Sequence, residues 1–245
     1  MKTVTIIIPV FNEEKTVGTI LEKTLEMIKN ENKKRKGRGK GEVLENAEYE
    51  TVVINDGSTD STKKILKTYT DNPQIRIIYH AKNLGKGAAI RTGFEASKGD
   101  VIVIQDADLE YDPSQIPKII KPILKGKADV VYGSRFLGKK VYGMFRSHTV
   151  GNKLLSFISS LILKRKITDV MTCYKAFKKD LIEEIESNRF EVETELTAKL
   201  LKKGVNFLEI PIEFHPRRIG KKIKKIDGVK SLIQLLKQTR KERKN

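Results

Sequence analysis

At 245 residues and 38% hydrophobic, the chain suffices for one sizeable core and excludes an array of independent domains. Its formal net charge of +18 calls for anionic partners, whether nucleotide phosphates, anionic lipid or nucleic acid, and does not choose among them. A single cysteine, Cys173, excludes an internal disulfide framework and suits a reducing, cytoplasmic setting, and the longest apolar run, Leu154 to Leu163, is too short to cross a bilayer.

Met1 to Val4 leads straight into a strand, so no leader peptide is expected. Thr3 to Pro9 reads as a buried strand ended by a proline that cannot donate to a ladder. A helix follows, with Asn12 as its cap and Val17, Ile20, Leu21, Leu25 and Ile28 at helical spacing. From Asn30 to Glu48 the pattern dissolves into lysine, arginine and glycine, which predicts a flexible basic insertion over 30–48. It is either a solvated arm or a segment that touches membrane or nucleic acid.

Tyr49 to Ile54 is the second strand, and the polar run Asn55 to Thr62 closes it. Gly57 allows a tight turn, and Asp60 or Ser61 can cap the next helix. Asp56 is either an acceptor for a ligand at the sheet edge or a part of that turn. Ile75 to Tyr79 is the third strand, and the glycines of Asn83-Leu84-Gly85-Lys86-Gly87 stand at a helix mouth where backbone amides and Lys86 can approach a phosphate. The spacing is not that of a P-loop.

Val101 to Ile104 is a strand buried on both faces, and carboxylates begin where it stops. Asp106 and Asp108, one residue apart, can point to one side of an extended segment, and Glu110 continues that side. Hard oxygen ligands in this pattern suit Mg²⁺ or Mn²⁺ that also takes oxygens from a diphosphate. The competing account is a turn that caps the helix opened by Asp112-Pro113. Strands alternating with helices, each strand ending in polar residues, predict a single α/β domain with a mostly parallel, Rossmann-like sheet flanked by helices and its ligand sites beyond the carboxyl ends. A dinucleotide fingerprint is missing after the first strand.

The run Ile8-Pro9-Val10-Phe11-Asn12-Glu13, then Val53 to Asp60, Asn83 to Gly87 and Asp106-Ala107-Asp108, resembles the family 2 glycosyltransferases of the GT-A fold. Val131 to Phe136, Thr168 to Lys175 and Pro211 to Arg218 are similar to the subgroup of dolichyl- and polyprenyl-phosphate sugar synthases. One departure is Asn55-Asp56, where many relatives carry two aspartates. The resemblance implies an inverting enzyme with a nucleotide-sugar donor, GDP-mannose or UDP-glucose in type. Pro9, Glu13 and Asp56 would line base and ribose with Lys86 close by, while Asp106 and Asp108 would hold the metal, with Glu110 as a third ligand. Arg135 and Arg146 would bind the phosphate of a polyprenyl-phosphate acceptor. Such an acceptor is already ionised and needs little help from a base. A sugar hydroxyl would need one, and Asp169 is then the first candidate, against a purely structural role in the turn after Ile167-Thr168.

Glu191, Glu193 and Glu195 precede a helix, where negative charge offsets the dipole, and Glu193 can instead face the acceptor. Arg217, Arg218 and Lys221 follow the last strand and suit a basic flap over the diphosphate. The glycosyltransferase domain is expected over 1–226, and 227–245 reads as a basic amphipathic helix or tail able to touch a membrane. His80 and His215 read as structural. These features predict a protein peripheral on the inner face of the cell membrane. A nucleic-acid module would also be basic, but zinc-finger spacing and an RNP-like strand are missing, so no nucleic acid is expected. A non-catalytic scaffold remains as an alternative. No Trp, 4 Met and abundant lysine, glutamate and isoleucine match heat-adapted composition.

Overall fold

The structure is a computed structural model, and it describes residues 2–37, 47–138, 146–201, 204–217 and 225–242. Strands β1 (Lys2–Val10), β2 (Ala47–Asn55), β3 (Ile75–Tyr79), β4 (Val101–Ile104), β5 (Val130–Ser134), β6 (Lys175–Lys178) and β7 (Phe207–Pro211) form one sheet in the order β3-β2-β1-β4-β6-β5-β7. All neighbours pair parallel except β6, which runs antiparallel to β4 and β5. The helices are α1 (Val17–Gly37), α2 (Thr62–Lys67), α3 (Lys86–Ala96), α4 (Ile116–Leu124), α5 (Arg146–Leu163), α6 (Val192–Leu200) and α7 (Lys225–Glu242).

Apolar residues cover both faces of the central strands. On β1, Val4, Ile6, Ile8 and Val10 enter one core cluster with Val17, Ile20 and Leu21 of α1, while Ile7 enters the other with Ala89 and Ile90 of α3. Successive strand residues point to opposite faces, so an unbroken β-branched run fills two cores at once. Each isoleucine so buried contributes about 1.5–3 kcal/mol. Helix α4 closes the first core with Ile116, Ile119, Ile120 and Ile123, a single face at helical spacing.

The chain moves from β1 outward to β2 and β3, then crosses back to place β4 on the other side of β1. That reversal opens a crevice beyond the carboxyl ends of β1 and β4, where open sheets of this kind bind ligands. Pro9 lies inside β1, opposite Ile54 of β2, and the ladder with β4 has already ended at Ile7 and Ile104, so its missing N–H costs that ladder nothing.

The elements depart from the sequence reading in three places. Asn12 does not cap α1: it holds a left-handed backbone at φ 51, and its side chain accepts from Thr59 N at 2.8 Å, tying the β1 loop to the β2 loop. Helix α1 continues through Asn30 to Gly37, because lysine, glutamate and asparagine carry no helix-breaking chemistry and Lys34 pairs with Glu31 one turn back. Of the expected insertion, 38–46 lies outside the described residues. Helix α7 packs on α5 and α6 with Leu235 fully buried, so it is a layer of the fold.

Candidate active site at the carboxyl edge of the sheet

The turn after β4 carries the carboxylates. Leu109 holds φ 61, a conformation that costs a branched residue energy, and the chain reversal lets Asp108 Oδ1 accept from Glu110 N at 3.1 Å. Positive side chains meet these carboxylates from two directions. Lys86 Nζ lies 2.8 Å from Asp106 Oδ1, and the Arg217 guanidinium lies 3.1 Å from Glu13 Oε1 and 3.6 Å from Asp108 Oδ2. Arg217 also donates its backbone N–H to Glu110 Oε1 at 2.9 Å. Glu13, Lys86, Asp106, Asp108, Glu110 and Arg217 therefore converge, from four separate stretches of chain. Arg218 and Lys221 fall outside the described residues.

Burial opposes the charge on Asp106, yet Lys86 beside it holds its carboxyl below the usual range. Asp108 goes the other way: burial first, then the charges of Asp106 and Glu110, push it up to about 7. Crowded carboxylates whose mutual repulsion outweighs nearby cations mark a place where added positive charge is favourable.

Asp112 caps the turn as well, accepting from Ser114 N at 2.9 Å. The two accounts of this loop are thus compatible.

The structure fills two of the expected ligand positions with protein groups. Asp56 is buried, and its oxygens accept from His80 Nδ1 at 2.7 Å, Asn83 Nδ2 at 2.9 Å, Leu84 N at 2.9 Å and Gly85 N at 2.8 Å. Four donors occupy the carboxylate, which is the turn reading of this residue. His80 is structural, as expected, since its other nitrogen meets Thr92 Oγ1 at 2.9 Å. The glycines at the mouth of α3 do not cradle a phosphate either. A Cβ on Gly87 would sit 2.2 Å from Ser187 O, one on Gly85, at φ 103, 2.3 Å from Asn188 O, and Ala88 N donates to Asn188 O at 3.1 Å. The anion at this helix mouth is Asp56, and the close approach is to protein backbone.

Behind Lys86 lies a buried charge network that the sequence did not disclose. Lys86 Nζ is 2.9 Å from Glu193 Oε1 and 3.0 Å from Cys173 Sγ. The other oxygen of Glu193 meets Lys175 Nζ, which also donates to Val170 O at 3.2 Å and to Thr172 O. Burial alone would raise the Glu193 carboxyl, and Lys175 and then Lys86 hold it below its ordinary value. Two charged residues at the start of α6 read in sequence as dipole compensation. Only the tertiary pairing separates Glu193 from Glu195, whose oxygens accept from Glu186 N and Ser187 N, both at 2.7 Å.

On the far side, Arg135 follows β5 and makes a two-point contact with Asp169, Nε and Nη2 each 2.7 Å from a carboxylate oxygen, while its backbone N–H donates to the same group at 3.0 Å. Phe214 and Phe136 flank the guanidinium, whose carbon is 5.2 and 5.7 Å from their ring centres. Asp169 is fully buried. Of the two roles open to Asp169, base for a hydroxyl acceptor or structural aspartate, this two-point pairing is the geometry of the structural one. Its role is to fix Arg135. Arg146 opens α5, and its side chain lies outside the described residues.

Among the described residues no three of His, Cys, Asp and Glu gather into a metal cage. The donor set nevertheless fits Mg²⁺ or Mn²⁺, which bind by one or two carboxylates and take the remaining oxygens from phosphates and water. Asp106 and Asp108 would be that pair, and the positive charge they meet in the protein comes from Lys86 and Arg217.

The sequence profile of glycosyl transferase family 2 matches residues 5–186. The chain is 31% identical over 234 residues to the UDP-N-acetylglucosamine–dolichyl-phosphate N-acetylglucosaminyltransferase of Methanococcus voltae, covering 86% of this chain and 85% of that one. It is 29% identical over 220 residues to the dolichol-phosphate mannosyltransferase of Pyrococcus furiosus, covering 89% of this chain and 58% of that one. Among solved structures, glucosyl-3-phosphoglycerate synthase of Mycobacterium tuberculosis, in complex with Mn²⁺, UDP and phosphoglyceric acid, superposes with a TM-score of 0.72 at 16% identity, covering 97% of this chain and 78% of that one. That likeness is one of fold.

Proposed function

The chain belongs to glycosyl transferase family 2, and on that premise we propose that this glycosyltransferase moves a hexose, with inversion, from a nucleotide-sugar donor of the GDP-mannose or UDP-glucose type to a polyprenyl phosphate. The observation that carries the choice of acceptor is the Arg135–Asp169 pair. A hydroxyl acceptor needs a base, and the carboxylate offered for that task has both oxygens on a guanidinium. A phosphate acceptor needs cationic donors instead, and Arg135, which Asp169 fixes through Nε and Nη2, would offer the remaining N–H groups of its guanidinium beside Phe214. The names of the two archaeal relatives, both of which act on a dolichyl phosphate, favour the same choice.

Asp106 and Asp108 would hold Mg²⁺ or Mn²⁺ on the donor diphosphate, with Glu110 within reach as a further ligand. A divalent cation there offsets the charge that grows on the departing nucleoside diphosphate. Arg217 would reach the same diphosphate by leaving Glu13 and Asp108, and Glu13 lies where it would accept from the ribose. Asp56 contributes by holding Leu84 and Gly85, and with them the backbone of Lys86, at the site. Arg146 stands as a second phosphate ligand on the acceptor side.

A lipid acceptor places the enzyme at a membrane surface, which we assign to its cytoplasmic face. No helix among the described residues is long and apolar enough to cross a membrane. Helix α5 turns Val150, Leu154, Phe157 and Leu161 outward, 65, 57, 61 and 63% exposed, a stripe at the spacing of one helical face. The deciding experiment supplies purified protein with GDP-mannose, UDP-glucose and UDP-N-acetylglucosamine in turn, polyprenyl phosphate in vesicles, and Mn²⁺. Transfer to the lipid that chelation abolishes is expected, and glycosylation of soluble saccharides alone would overturn the reading.

A further inference from the structure

Helix α6 reaches the candidate cation site twice. Through Glu195 it holds the backbone at Glu186 and Ser187, and that segment packs against Gly85 and Gly87 so closely that no Cβ fits at either glycine. The main chain of Lys86 is therefore pinned on both sides. Through Glu193, α6 also reaches the Lys86 ammonium, which sits 2.9 Å from Glu193 Oε1 and 2.8 Å from Asp106 Oδ1. Glu193 is itself clamped by Lys175, which is completely buried and anchored on the carbonyls of Val170 and Thr172.

We propose that Glu193 is a positioning residue for the cation site: it holds the Lys86 ammonium between itself and Asp106, and so sets how much of that charge Asp106 receives. The inference rests on the reading of Asp106 as a cation ligand. A structural ion pair would be complete with Lys175 and Glu193 alone, but here a second ammonium comes to the same carboxylate from the site side. The four groups alternate in sign along the chain Lys175, Glu193, Lys86, Asp106, and their formal charges sum to zero. A divalent cation held by Asp106 would compete with the Lys86 ammonium there, and in a buried setting that ammonium would need another counter-charge within reach. Glu193 provides one without any movement of the backbone. If Glu193 were neutral, Lys86 would have Asp106 as its one anionic partner among these groups and would compete with the cation for it.

The test is a double-mutant cycle on Mn²⁺ binding, read as loss of the free-ion electron paramagnetic resonance signal without nucleotide or acceptor, with circular dichroism verifying that each variant is folded. Lys86→Met removes the competitor and is expected to tighten Mn²⁺ binding, whereas Glu193→Gln releases Lys86 to Asp106 and is expected to weaken it about tenfold. In the Lys86→Met background the Glu193→Gln effect should shrink to within about twofold, because the two residues act as one unit. Should Glu193→Gln not fold, Glu193→Asp keeps the charge for Lys175 while retracting from Lys86, and it enters the same cycle with the same expected sign. An effect of equal size in both backgrounds would mean that Glu193 acts only as a distant charge, and no effect in either would make it a purely structural residue; each result overturns the inference alone. A wild-type protein that takes up no Mn²⁺, alone or beyond what added UDP binds by itself, overturns the cation-ligand reading beneath it, and the inference with it; if uptake needs UDP, the same cycle is read with UDP present.

Discussion

Protonating a carboxylate that a guanidinium grips on both oxygens strands a buried cation, and that residue-scale fact separates two accounts of Asp169. If Asp169 fixes Arg135, Asp169→Asn should cost about 3–5 kcal/mol in chemical unfolding and raise the apparent KM for polyprenyl phosphate, with metal-dependent hydrolysis of the donor retained. If it were a base, kcat for transfer would collapse while stability and acceptor KM stayed in place. Calorimetry together with acceptor titration tells them apart. The sequence could place Asp106 and Asp108 just beyond the end of β4, because a buried strand that stops at carboxylates is a local pattern. It could not place Asp169 against Arg135, or Glu193 between Lys175 and Lys86, because those pairings join residues brought together only by the sheet order. The partners of Asp56 were hidden for a related reason: its four donors come from the loop after β3, which sequence shows only as glycine-rich.

At the scale of elements, α6 and the mouth of α3 form one unit. Glu195 accepts from Glu186 N and Ser187 N and pairs with Lys199 at 2.9 Å, and although burial pushes its carboxyl up, these bonds hold it below the ordinary glutamate value. A carboxyl lowered in the folded state stabilises the fold above its unfolded pKa, and that contribution is lost as pH falls through the folded one. Glu195→Gln should therefore have a lower Tm than wild type at neutral pH, and the gap should close as the pH drops below about 4. A gap independent of pH would show that the charge is not what holds the loop. Gly87→Ala tests the other half of the unit: a Cβ 2.2 Å from Ser187 O must force the two segments apart, at about 1–3 kcal/mol, and donor affinity should fall with stability since Lys86 moves too. Elements themselves were legible where their apolar period was strong, as in β4 and the core face of α1. The helical stretch from Asn30 to Gly37 was not, because an all-polar segment has no period to read and continues the helix by propensity.

Across the whole molecule the two features that composition made visible, +18 of net charge and apolar residues without a place in the core, meet on α5 and its surroundings. Leu154 and Phe157 point away from the protein, while Lys164 and Lys166 just past the end of that helix and Lys230 and Lys237 on α7 are exposed. Basic side chains near an apolar stripe suit a bilayer carrying anionic lipid, where each contact adds about 1 kcal/mol and salt weakens the sum. Phe157→Ser removes about 1.5–3 kcal/mol of apolar transfer and should lower vesicle partitioning roughly tenfold or more, with no change in thermal stability because the ring supports nothing in the core. Leu154→Ser should act in the same direction and by less. Transfer to polyprenyl phosphate in vesicles should fall in parallel for both variants, while transfer to a short-chain, water-soluble polyprenyl phosphate should not, since Arg135 and the carboxylate cluster are untouched. Co-sedimentation with vesicles of neutral and of anionic lipid, at low and high salt, measures the two contributions separately. Unchanged partitioning in both variants would remove the stripe on α5 from the membrane contact and leave the basic surface alone to account for it.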